Sequence, residues 1–167
     1  MSSKQTDASE ATSRAFLRHT VATLAYRGRK VVADVSDEVA NFRAAETART
    51  PKQILSHVCD LLDWAARLAR GTQKWTERSC DTWDEEVTRF FAALDALDSA
   101  LASDEPLGFA AEKIFQAPIA DALTHVGQIA ILRRVAGSRI RGENYFKADI
   151  TVGRVGRDQA TPKVEFD

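Results

Sequence analysis

Three side chains in this sequence could hold one metal ion between two helices: His57, Asp121 and His125. Asp121 and His125 lie four residues apart in PIADALTHVGQIAILRRVAG, the stretch from Pro118 to Gly137, which reads as a helix. Residues four apart on a helix are neighbours, so an oxygen and a nitrogen can reach the same ion. Ala122, Ile129, Leu132 and Ala136 line one apolar face of that helix, and Asp121 and His125 fall on or beside it. A carboxylate turned toward a core has to be paired or has to hold a cation, because a bare charge in a low-dielectric interior is strongly disfavoured. His57 supplies a third donor from an earlier helix, where it interrupts the stripe Ile54, Val58, Leu61, Ala65, Leu68. Two imidazoles and a carboxylate suit Zn, Ni or Fe(II), and three protein ligands leave positions open for water or substrate. Such an ion acidifies a bound water or thiol and polarises a carbonyl. Gln128, one turn beyond His125, can orient a group behind the ligands. The competing reading is a hydrogen-bonded Asp121–His125 pair and a satisfied core histidine at position 57, with no ion.

The remaining reactive side chains are less telling. Cys59 stands two residues from His57, hence on another helical face, and reads as a buried, inert thiol. His19 falls off the stripe of its helix and reads as a surface or boundary residue. Arg133, Arg134, Arg139 and Arg141 make the end of the last helix basic; their ordinary role is to stabilise a helix C-terminus, and the sharper one is to bind an anion.

Four long helices position these groups. The first spans roughly residues 9–35, with Leu17, Val21, Leu24, Gly28 and Val31 at helical steps and Gly28 marking a close helix contact. Residues 36–49 form a connection too long for a tight helical hairpin, which implies a crossover. Thr50, Pro51 and Gln53 open the second helix with a capping box, and Gly71 ends it. The polar stretch 72–81 carries Trp75 and leads to Trp83; these cover a bundle end or wall a pocket. Thr82 and Glu85 form a second capping box for the third helix, with Val87, Phe90, Leu94, Leu97 and Leu101 at near-heptad spacing. Residues 103–117 are a second long connection with a short helical turn near 110–115, and the last helix follows with Pro118 in its first turn. Residues 138–167 lack helical periodicity; Phe146, Ala148, Ile150 and Val152 alternate as in an extended segment.

The totals set the frame. The 167 residues make one domain, 1–167, with a frayed start at 1–8 and a tail at 138–167 that wraps the bundle or a partner subunit. The net charge of -1 offers no basic excess for nucleic acid. No apolar run is long enough to cross a bilayer and the first residues are polar, so a cytoplasmic protein with no membrane partner is expected. Two cysteines are too few for a disulfide framework.

The order of these elements, with TPKQILSHVCDLLDW followed by DALTHVGQIAILRRVAG, resembles the DinB/YfiT-like family of small metal-binding bundle proteins. The resemblance runs from the first helix through Gly137. In that family the last helix carries a His-x-x-x-His pair before a Gly-Gln-Ile run; here His125 precedes Val126-Gly127-Gln128-Ile129, and Asp121 replaces the first histidine. The resemblance implies an all-α four-helix bundle of up-down-down-up topology, a homodimer, and a metal between the helices at one end of the core. It further implies a metal-dependent enzyme that activates a low-molecular-weight thiol for S-transfer, or a water for hydrolysis. The alternative is a non-catalytic metal-binding or stress-related bundle protein. Asp121 in place of a histidine keeps a possible ligand while changing its charge and hardness.

Overall fold

The computed structural model describes residues 2–167, with side chains from Ala8 onward, so the expected frayed start at 1–8 lies almost wholly outside the described side chains. The chain is mostly helical: α1 (Ser2–Val32), a short α2 (Asp37–Ala40), α3 (Pro51–Ala69), α4 (Trp83–Ala102), α5 (Ala111–Ile114) and α6 (Ala120–Val135).

The helix starts follow their local chemistry. The Thr50 hydroxyl accepts from the Gln53 amide N–H while the Gln53 side chain accepts from the Thr50 N–H, and Pro51 takes the first helical position. Thr82 and Glu85 repeat that reciprocal cap for α4. Gly71, at φ +83°, turns the chain out of α3 in the left-handed conformation that glycine adopts without strain.

Packing follows the apolar stripes. Leu17, Val21 and Leu24 of α1, Leu55, Val58 and Leu62 of α3, Phe90, Leu94 and Leu97 of α4, and Ala122 and Ile129 of α6 are buried in one core. Each of the larger side chains contributes about 1.5–3 kcal/mol by leaving water. Gly28 meets the Phe90 ring so closely that an added Cβ would lie 2.5 Å from it, as a close helix contact requires.

Specific contacts give the helix directions. Arg14 donates to the Leu101 carbonyl and the Trp83 indole N–H donates to the Val32 carbonyl, so α1 and α4 run in opposite directions. Phe16 meets Phe115, and Arg133 donates to the Val31 carbonyl, so α1 and α6 run in the same direction. Cys59 meets the Glu86 carbonyl and Arg70 donates to the Ala96 carbonyl, so α3 and α4 also run in the same direction. Parallel neighbours need a connection that returns along their length, and the segment between α3 and α4 does this. A crossover therefore lies at 71–82, where none was expected, beside the expected one at 36–49, which links α1 to α3, two helices that each pack on α4 and α6 rather than on one another.

Two further expectations need correction. The last helical stretch begins at Ala111 rather than Pro118, and Pro118 lies inside a π-helical turn, Phe115–Ile119, that joins α5 to α6 without a break. Proline lacks an N–H and its ring collides with the preceding turn of a regular α-helix, so a locally widened turn accommodates it. The alternation at 146–152 does not form a strand: Tyr145–Lys147 is a 3-10 turn and Phe146 is exposed. The strands are instead β1 (Gly142–Glu143) and β2 (Glu165–Phe166), paired antiparallel. They are held on α1 by the Tyr26 hydroxyl, which donates to Glu143, and by Lys30, which bridges Glu143 and Glu165. Val155 is buried and Arg157 donates to Thr88 of α4, so these tail contacts fall on α1 and α4.

Candidate metal centre

His57 comes from the second turn of α3, and Asp121 and His125 from the first turns of α6, just after the π-helical turn. Their donor atoms converge: one ligand atom from each lies within 4.8 Å of the others. His57 Nε2 is 3.7 Å from Asp121 Oδ2, and His125 Nε2 is 3.5 Å from Asp121 Oδ1. Tetrahedral coordination with bonds near 2.0–2.1 Å sets donors roughly 3.3 Å apart, so small side-chain adjustments would close the three around an ion. The chemistry of the donor set fits a borderline or hard divalent transition metal, with positions left open.

The group sits at the rim of the core, not within it. The side chain of Asp121 is 47% exposed, against 24% for His57 and 15% for His125. The expected core-facing carboxylate is thus a half-solvated one, which removes the desolvation argument for a cation and leaves the convergence of three donors as the evidence. His57 likewise faces a groove, where a ligand can approach.

Neighbouring groups orient the histidines. His125 Nδ1 donates to Gln128 Oε1 at 2.7 Å, which turns Nε2 toward Asp121. Trp75, from the crossover, meets His57 edge-on with ring centroids 5.7 Å apart, and Trp64 of α3 meets Trp75 in the same way. Trp75 therefore walls the site, while Trp83 is buried at a bundle end. Burial first, then the charges of His125 and Arg49, hold the His57 imidazole below its usual pKa, against the pull of Asp121 and Asp60. A neutral imidazole is the form that binds a metal.

Other candidates lie elsewhere. His19 is exposed on α1. Cys59 is fully buried and its thiol is pushed well above its ordinary range by burial, so it is no nucleophile. Three of the four arginines at the end of α6 are committed: Arg133 donates to the carbonyls of Val31 and Ala33, while Arg139 and Arg141 pair with Asp167 and Glu165; Arg134 is exposed. Arg133 also stands eight residues past His125, roughly 12 Å along the helix. The idea of an anion site there is set aside in favour of a role in fastening the tail.

A charged cluster one turn from His57 escaped the sequence reading. Arg89 of α4 pairs with Asp60 and Asp63 of α3 and approaches the fully buried Glu86. Glu86 in turn accepts from the Cys80 amide, and Asp60 from the Arg78 amide, so the cluster anchors the crossover that carries Trp75. Its signal in the sequence was one acid pair on α3, Asp60 and Asp63, and an acid and an arginine three residues apart on α4, Glu86 and Arg89, unremarkable until the helices meet.

In comparisons with known proteins, no family model, curated protein or solved structure matches this chain.

Proposed function

We propose that this protein binds a divalent transition metal, Zn, Ni or Fe, through His57, Asp121 and His125, and that the bound ion activates a thiol for S-transfer or a water for hydrolysis. The observation that carries this reading is the approach of three donor atoms, from two helices distant in sequence, to within 4.8 Å of one another. The fold assigned with it is a four-helix bundle of DinB-like up-down-down-up topology, which the helix directions support. The homodimer belongs to the same proposal, with Phe16, Ile131 and Val135 as exposed apolar side chains available to it.

Each residue has a part. The imidazoles of His57 and His125 and the carboxylate of Asp121 would hold the ion, and Gln128 would orient His125 so that Nε2 faces it. The ion would supply Lewis acidity to a donor bound at its open positions. Exposure of Asp121 and the cleft beside His57 favour an enzyme over a closed structural site. Cobalt(II) substitution followed by addition of a panel of small thiols tests this: a thiolate-to-cobalt absorption band and metal-dependent thiol alkylation are expected. A cobalt spectrum indifferent to every added donor, with no turnover, would leave the non-catalytic metal protein as the correct reading.

A further inference from the structure

We propose that the cleft beside His57 binds a small organic monocarboxylate, with Arg49 gripping the carboxylate while a second donor atom of the same molecule reaches the open positions of the ion; this rests on the metal reading above. The cleft has a volume of about 310 Å³ and is bounded by Arg49, Gln53 and His57 on one side and by Glu77, Arg78 and Ser79 of the crossover on the other. That volume is at the small end of ligand sites, suited to a compact molecule.

The charges in the cleft select its occupant. Asp60 is neutralised by Arg89, and the Arg78 guanidinium is taken by Asp63. Glu77 accepts from the Trp75 indole N–H. Arg49 is exposed and, among the described residues, has no ion-pair or hydrogen-bond partner, and it lines the same cleft as His57. An unengaged guanidinium next to a site that would carry a net positive charge when loaded calls for an anion, and its planar fork matches a carboxylate. Glu77 across the cleft repels a dianion, so a monocarboxylate is favoured over a phosphate monoester.

The test uses the full chain loaded with cobalt(II), titrated with 3-mercaptopropionate and with its neutral analogue 3-mercapto-1-propanol, each followed by the thiolate-to-cobalt band. Wild type should bind the carboxylate about five- to tenfold more tightly than the alcohol, the range for a charge-assisted contact open to solvent. Arg49→Gln should abolish that preference without changing affinity for the alcohol, and Arg49→Lys should retain part of it. Equal affinity for the two thiols in wild type, or an unchanged preference in Arg49→Gln, would overturn the carboxylate site while leaving the metal reading intact. Absence of any cobalt spectrum in wild type would overturn the metal reading and this inference with it.

Discussion

His57 on α3 and His125 on α6 stand nearly perpendicular, ring centroids 4.9 Å apart and planes at 82°, with Asp121 bridging their Nε2 atoms. Two helices, α3 ending at Ala69 and α6 beginning at Ala120, are thereby joined through three groups that share one possible ion. The properties predicted for the protein follow from that arrangement and from what surrounds it.

Asp121 sets both the charge and the hardness of the site. Asp121→Asn keeps the shape and removes the charge, and should weaken Zn(II) binding by at least about tenfold. Asp121→His should retain Zn(II) and Ni(II) but lose affinity for Mn(II), because an imidazole is the softer donor. Competition titrations against a chromophoric chelator measure both; unchanged Zn(II) affinity in Asp121→Asn would show that the carboxylate is no ligand.

Gln128 acts through His125. Its side chain is exposed and bonds the imidazole at 2.7 Å, so Gln128→Ala should leave the fold intact while lowering metal affinity on the order of 10- to 100-fold. The same titration, paired with urea unfolding of the metal-free protein, separates this from a general loss of stability.

Acid should weaken the metal-free protein partly through His57. Its folded pKa lies below the ordinary 6.5, with burial the leading cause, so between the two values the unfolded chain binds more protons. The corresponding stability is fully present above about pH 6.5 and is lost as pH falls through the folded pKa. Urea midpoints taken from about pH 7.5 to about pH 5 should therefore fall more steeply for wild type than for His57→Gln. Parallel curves would contradict the shift.

Arg89 is the counter-charge for two buried acids, Asp60 and Glu86. Arg89→Ala leaves Asp60 and Glu86 buried and unpaired, and should cost about 3–5 kcal/mol by urea denaturation. It should also free the crossover, seen as a red-shifted emission from Trp75. A loss below about 1 kcal/mol would mean that solvent already screens the cluster.

The parts of this structure that were legible in the sequence are those encoded locally. Thr50 with Gln53 and Thr82 with Glu85 announce helix starts because each cap closes on itself within four residues. His57, Asp121 and His125 stood out because each breaks or flanks an apolar stripe. What was illegible depends on contacts between distant segments. Asp121 read as core-facing because periodicity fixes a side chain's angle around the helix but not how near the rim that angle falls. Pro118 read as a helix start because the usual rule assumes regular α geometry, and a π-helical turn suspends it. Asp60, Glu86 and Arg89 acquire meaning only once α3 and α4 run side by side, and Arg49 only once the crossover completes a cleft around it.

The central claim is that His57, Asp121 and His125 hold an ion, and elemental analysis of protein purified without chelators tests it most directly. Wild type should carry about one transition-metal ion per chain, and His57→Ala, folded by circular dichroism, should carry nearly none. Wild type free of stoichiometric metal even after incubation with Zn(II), Ni(II) and Fe(II), or a metal content unaltered in His57→Ala, would contradict the account.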